Sequence, residues 1–233
     1  MNHSSPAIDT RKPDAEFLNV FKEFENDVKN EINVENEFRI PAILAILIGS
    51  RSYEYFDTFL DEAIDSGITI TQIKEIIYQG IMLIGMAHVY PFLKIVNEHF
   101  NISDDEDHHC TVTKQNRKEK GIEKLNESFG FVMNGLPGLG PMSDWLMKYY
   151  YGELYTRDIL SMRQRELILL CLLSVHGDSY MTFSAHIMSN INVGNNKAFL
   201  RNVFYSLVPY MGSVKAYNAI KCIEDWTSPV HSE

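Results

Sequence analysis

The sequence predicts an all-helical protein that contains two copies of one helical module. Apolar residues recur at the spacing of a helix face, and no segment alternates with the period of two that marks a half-buried strand. The chain also resembles itself at a constant shift, at which Ser52-Tyr53 matches Ser179-Tyr180 and Gly85 matches Gly212. Matches that keep one phase without a gap indicate a duplicated unit.

Each module is expected to contain three helices in the same order: apolar, more polar, and long. The expected bounds are about 38–48, 52–65 and 70–98 in the first copy, and about 162–175, 179–191 and 197–226 in the second. The long helices are expected to break at Gly85 or Pro91 and near Pro209. Two further helices are predicted at about 14–31 and 142–151.

The helix ends repeat as well. Thr69-x-x-Gln72 has the pattern of a capping box, and Asn196 takes the matching N-cap place in the second copy. Gly67 and Gly194, just before these caps, suit the left-handed residue that ends a preceding helix. Capping residues have a definite physical role, so their repetition supports the duplication more strongly than shared apolar residues would.

These features divide the chain into four parts. They are a flexible arm (1–12), a first module (13–100), a charged linker (101–121) and a second module (122–228). The linker assignment depends on an acidic run, Asp104 to Asp107, that is followed by basic residues.

Composition excludes several classes of protein. A formal net charge of −10 argues against nucleic-acid binding, because phosphate contacts need a basic face. The longest apolar stretches are shorter than the roughly 20 residues that cross a bilayer. Cys110, Cys171 and Cys222 lie far apart, which gives no disulfide framework, and no spaced ligand set suggests a metal. We expect a cytoplasmic protein with no membrane or nucleic-acid partner.

Glu166 is a candidate proton-transfer residue. It begins an apolar run, and its neighbours on the helix face, Leu169, Leu170 and Leu173, are all apolar. Desolvation favours the neutral form of an acid, which suits such a group to exchange a proton. The alternative is a first-turn glutamate that is favoured by the helix dipole and paired with Arg163 or Arg165.

The following helix has a polar stripe. Ser179, Thr182, His186 and Ser189 are spaced by three, four and three residues, so they share one face. A histidine there could donate or accept a proton near neutral pH. The alternative is a structural histidine whose hydrogen bonds are all satisfied within the fold.

The first copy has lost both candidates. The same shift places Arg39 opposite Glu166, Tyr55 opposite Thr182 and Phe59 opposite His186. This difference is expected if one module is a scaffold and the other is active, although drift of an inactive pair would give the same pattern.

The stretch Gly152 to Ile168, followed by His186, Gly194 and the turn Tyr210-x-Gly212, resembles the carboxymuconolactone decarboxylase family. That family shares its fold with the alkylhydroperoxidase D proteins, so the resemblance implies two tandem alkylhydroperoxidase D-like modules. The peroxidase branch has a Cys-x-x-Cys pair where this chain has Ser179 and Thr182. Thiol peroxidase activity is therefore not expected.

The resemblance implies a cofactor-independent decarboxylase that acts on a small anionic substrate, a carboxylated lactone or a β-keto-type acid. His186 would donate the proton and Glu166 would orient or recharge it. The implied substrate-binding residues are Ser179, Thr182, Arg163, Arg165 and Tyr210. The resemblance also implies a homo-oligomer, such as a trimer of tandem modules. A non-catalytic ligand-binding or scaffold protein that retains the fold is the alternative.

Overall fold

The computed structural model describes residues 14–103, 109–177 and 180–227. Over these residues the chain is helical and contains no strand, as the sequence predicts. The predicted flexible arm, 1–12, lies outside the described residues, and so does Ser179.

The helices follow one another with short connections. The first half contains α1 (Ala15–Glu31), α2 (Asn36–Gly49), α3 (Tyr53–Asp65), α4 (Ile70–Ile84) and α5 (Met86–His99). The second half contains α6 (Arg117–Phe129), α7 (Pro141–Trp145), a π-helix π1 (Leu146–Leu154), α8 (Met162–His176), α9 (Tyr180–Asn192), α10 (Lys197–Ser206), α11 (Val208–Met211) and α12 (Ser213–Asp225). None of these helices has the length and apolar character that crossing a membrane requires.

The helix bounds repeat at the spacing seen in the sequence. The shift that brings Gly85 onto Gly212 also brings both bounds of α3 onto those of α9, and the first residue of α5 onto that of α12. The span of α4 corresponds in the same way to α10 and α11 taken together. The two halves therefore share a helix register as well as individual residues.

The long predicted helices are interrupted at equivalent glycines. Gly85 and Gly212 both have φ of 84°, with ψ of 153° and 150°, and each precedes the first residue of the next helix. A residue with a β-carbon rarely adopts this conformation, so glycine is favoured at both breaks. Pro91 lies inside α5 without ending it, and Pro209 follows a second interruption at Leu207.

The predicted N-caps are confirmed. The Thr69 side chain accepts a hydrogen bond from the Gln72 backbone N–H, and the Gln72 side chain accepts one from the Thr69 N–H. Asn196 Oδ1 accepts the backbone N–H of Phe199 at 2.9 Å. These bonds satisfy N–H groups that the first turn of a helix leaves without partners.

The two apolar helices, α2 and α8, pack against each other at the centre of the protein, where nearly all their residues are buried. Gly49 permits this close approach, because a β-carbon there would lie 3.1 Å from the carbonyl oxygen of Leu172. The halves also interlock: α4 contacts α8, while α10 and α11 contact α2. A single core therefore extends through both halves.

The second half begins with a helix that the sequence did not predict. α6 starts at Arg117, inside the segment expected to be a linker, and packs along π1. Glycines allow this contact, since β-carbons at Gly121 and Gly152 would overlap backbone oxygens of the facing segment. The helix predicted at 142–151 is instead α7 followed by π1, whose wider turn leads into Tyr155.

Candidate functional site

Glu166 lies in the first turns of α8 and is fully buried. A capping box between Ser161 and Gln164 fixes the start of this helix one turn earlier. Glu166 Oε1 accepts hydrogen bonds from Ser128 Oγ at 2.5 Å and from the Tyr155 hydroxyl at 2.8 Å. Two hydroxyl groups from different parts of the chain thus bind one oxygen of this buried carboxyl group.

His186 faces the other carboxylate oxygen. It lies on α9 with 7% of its surface exposed, and its Nδ1 is 3.2 Å from Glu166 Oε2. When Glu166 is ionised, Nδ1 carries the hydrogen that is donated to it, and Nε2 is the nitrogen that takes up or releases a proton. The structure thus brings the two predicted proton-transfer residues into direct contact.

A single amide fixes the backbones of this pair. Asn190 Nδ2 donates to the backbone oxygen of Glu166 at 2.9 Å and to that of His186 at 2.8 Å. Asn195 supports it by donating to Asn190 Oδ1 at 2.9 Å and to the Arg163 backbone oxygen at 2.8 Å. Because these donors join α8 to α9, the carboxylate and the imidazole are held in one geometry.

Thr182 and Ser189 are the other described members of the polar stripe. Thr182 lies one turn before His186 and is partly exposed, while Ser189 Oγ donates to the Ala185 backbone oxygen of its own helix. Ser179 lies outside the described residues. Of the stripe predicted from the sequence, the structure therefore places His186 against Glu166 and leaves Ser189 in a local contact.

Arg165 belongs to a separate buried network. Its Nη1 lies 3.5 Å from the buried Glu75 of α4, and its Nη2 donates to the Arg157 backbone oxygen at 2.5 Å. Arg157 also pairs with Glu75 through Nε. Burial lowers the pKa of Arg165, while the carboxylate of Glu75 raises it. Because Arg165 is turned toward Glu75, it does not make the expected alternative pair with Glu166.

Arg163 is placed beside the site without touching the carboxylate of Glu166 in the described contacts. Its Nε donates to Asn195 Oδ1 at 3.0 Å, and its guanidinium lies over the rings of Phe38 and Phe199 at 4.8 Å and 5.4 Å. The paired-glutamate alternative therefore fails for this arginine as well.

Tyr210 lies with residues of the first half. Its hydroxyl donates to Glu25 of α1, and its ring packs near Phe59 and Phe21. Burial raises the pKa of this tyrosine, and the hydrogen bond to Glu25 raises it further. The structure does not bring Tyr210 into the described contacts of the Glu166–His186 pair.

Four partners of the pair were not found by sequence reasoning: Ser128, Tyr155, Asn190 and Asn195. Asn190 follows His186 by four residues on the same helix face, and that spacing could have identified it. Ser128 and Tyr155 come from α6 and from the end of π1, and no local pattern marks them.

The three cysteines differ in exposure, since Cys110 is exposed and Cys222 is partly buried. Cys171 is buried, and burial raises the pKa of its thiol, which disfavours the reactive thiolate. Among the described residues, no group of three or more histidine, cysteine, aspartate or glutamate side chains is placed to hold a metal ion.

Comparison of the chain with protein-family models and with curated proteins finds no match. The resemblance to the carboxymuconolactone decarboxylase family therefore stays a prediction, since a shared fold would not by itself establish a function.

Proposed function

We propose that this protein is a cofactor-independent lyase that releases CO2 from a carboxylated lactone or a β-keto-type acid. The observation that supports this best is the contact between His186 Nδ1 and Glu166 Oε2 at 3.2 Å. A buried carboxylate that orients an imidazole is a recurring arrangement for proton transfer, because it fixes the tautomer and stabilises the imidazolium.

In the proposed reaction, the bond between the carboxylate carbon and its neighbour breaks, and CO2 leaves. The electron pair of that bond forms an enolate, whose negative charge collects on the carbonyl oxygen. The protonated His186 donates from Nε2 to the enolate carbon, while Glu166 holds Nδ1–H. Solvent then returns a proton to His186. Donors near the enolate oxygen would lower the barrier further, and the Thr182 hydroxyl is the proposed donor.

Two of the residues that the resemblance implied are not part of the proposed substrate site. Arg165 is left out because its guanidinium pairs with the buried Glu75. Tyr210 is left out because its hydroxyl donates a hydrogen bond to Glu25. Thr182 and Arg163 remain proposed substrate contacts, together with Ser179 on the evidence of the sequence.

We also propose that the chain forms a homo-oligomer, such as a trimer. Large apolar side chains are exposed at the start of α9 and on α12, namely Tyr180, Met181, Val214 and Tyr217. Exposed apolar residues in such numbers are common at contacts between subunits. Light scattering should give the mass of a multimer, and the mass of a single chain would contradict the proposal.

A non-catalytic scaffold or ligand-binding protein is the second candidate. It is favoured by the low exposure of His186 and by the dense hydrogen bonding around Glu166. The lyase is preferred because the carboxylate partner of His186 is fully buried and fixes the imidazole through Nδ1, the arrangement that leaves Nε2 for proton transfer.

The test is CO2 release from carboxymuconolactone and a panel of β-keto acids, measured for the wild type, His186→Ala and His176→Ala. His176 is an exposed histidine on α8 and serves as the matched control. His186→Ala is expected to lower kcat by about 10²–10⁴-fold, the usual contribution of a general acid, while His176→Ala retains activity. Equal CO2 release by all three proteins would exclude His186 as the proton donor. No release from any substrate would favour the scaffold or ligand-binding function.

A further inference from the structure

Arg39 is the centre of a second polar cluster, in the first half of the protein. It lies on α2 with 4% of its surface exposed, and its Nη2 is 3.6 Å from Glu25 Oε1 on α1. Arg39 Nε is buried and makes no hydrogen bond to any described residue. The guanidinium therefore has donor capacity that Glu25 alone does not use.

Tyr210 is the second residue that contacts the Glu25 carboxylate. Its hydroxyl donates to the same Oε1 of Glu25 that faces Arg39. A guanidinium and a phenol that converge on one carboxylate oxygen are the groups expected in a site for a carboxylic acid. Glu25 supplies that carboxylate from within the chain.

Aromatic rings pack around the ring of Tyr210. The ring centroid of Tyr210 lies 6.1 Å from Phe21, 6.4 Å from Tyr55 and 6.0 Å from Phe59. Such edge-on and tilted rings provide an apolar wall that suits another aromatic group. The wall and the charged end together indicate an aromatic carboxylate as the ligand.

The helix that carries Glu25 is only lightly held. α1 has no buried residue, and Phe17 and Val20 are 69% and 59% exposed. It contacts α10 and α11, the Arg39 side chain of α2 and the Tyr55 ring of α3, and residues 32–35 connect it to α2. Burial raises the pKa of Glu62, and the negative charge of Glu25 raises it further. The carboxylates of Glu25 and Glu62 therefore repel each other, which weakens the hold on α1. These features favour a helix that a ligand can displace.

We propose that Arg39, Tyr210, Tyr55 and Phe59 form a binding site for a small aromatic carboxylate, and that Glu25 occupies this site when no ligand is present. The site does not share the described contacts of the Glu166–His186 pair, and the proposal does not rest on the lyase activity. Binding of the ligand would release α1 from this face of the protein.

The first test uses the full chain with Glu25→Ala, which removes the carboxylate that Arg39 and Tyr210 share. Benzoate is expected to raise the Tm of this variant in a saturable way, and benzamide, its neutral analogue, is not. The double variant Glu25→Ala/Arg39→Met should show no response to benzoate. Equal responses to benzoate and benzamide, or no response in Glu25→Ala, would overturn the proposal.

The second test uses the wild type and separates a ligand site from a permanent structural contact. Benzoate at increasing concentrations is expected to speed amide hydrogen exchange in Ala15–Glu31 in a saturable way, because it competes with Glu25. Benzamide is the control and should leave that exchange unchanged. If benzoate leaves the exchange of α1 unchanged, Glu25 is a fixed partner of Arg39 and the proposal is wrong, whether or not any variant folds.

Discussion

Arg39 and Glu166 occupy equivalent positions on the two central helices at the constant shift seen in the sequence, and both are buried, one a basic and the other an acidic residue. Each takes its polar partners from elements that the equivalent helix does not use. Arg39 meets Glu25 from α1, whereas Glu166 meets Ser128 from α6 and His186 from α9. One position in a repeated helix register thus supports two different polar centres.

Ser128→Ala tests the support of the Glu166 carboxylate. The variant removes a hydroxyl that donates to a buried charged group, and such bonds contribute about 1.5–3 kcal/mol. We expect the free energy of unfolding, measured in urea, to fall by about that amount. Ser174→Ala is the control, because Ser174 bonds only its own helix in the described contacts, and its effect should stay within about 0.5 kcal/mol. Equal effects of the two variants would contradict this interpretation.

Glu75→Ala tests the buried network between the halves. It leaves Arg165 buried without its carboxylate, and breaking a buried pair in this way costs about 3–5 kcal/mol. Glu224→Ala is the matched control, since Arg201 and Glu224 pair at the surface with 41% and 43% of their side chains exposed. That control should cost at most about 1 kcal/mol. A Glu75→Ala variant as stable as the control would show that the network adds nothing to the fold.

The surface contact of His99 with Asp57 and Asp61 predicts a pH dependence of stability. The hydrogen bond to Asp61 raises the pKa of His99 above its ordinary value of 6.5, with a further contribution from Asp57. Because the folded-state pKa is raised, the stabilisation is fully present below pH 6.5 and is lost as the pH rises through the raised pKa.

The measurement is the difference in unfolding free energy between the wild type and His99→Gln, followed upward from about pH 5.5, above the carboxylate range. The difference should shrink as the pH rises, and Asp61→Asn should flatten the dependence. A difference that is constant with pH would show that the contact stabilises the protonated and the neutral form of His99 equally.

Helix positions could be predicted because they depend on local signals. Caps at Thr69 and Asn196 and the glycine breaks at Gly85 and Gly212 are determined by the backbone needs of each helix end. α6 was not predicted, because its first residues are charged and resemble a solvated linker. Local physics therefore predicted most of the architecture.

The candidate site was predictable only in part. Glu166 and His186 were found because an acid and a histidine are unusual on apolar helices. The partners of the arginine side chains were not predictable. Arg165 pairs with Glu75, which lies on α4 in the other half of the chain. Tertiary packing supplies other partners, such as Ser128 and Tyr155, and these cannot be recognised from the spacing of residues along the chain.

The most direct test of the proposed chemistry is the steric course of protonation. The wild type is supplied in D2O with an accepted β-keto acid that carries one alkyl substituent on its α-carbon, and the product is analysed by NMR before enolisation replaces its remaining α-hydrogen with deuterium. Because His186 would deliver the proton from one fixed side, the product should carry a single deuterium in one configuration, and Glu166→Gln should slow its formation. A product labelled equally in both configurations, formed at the same rate by both proteins, would contradict a proton-transfer role for the Glu166–His186 pair.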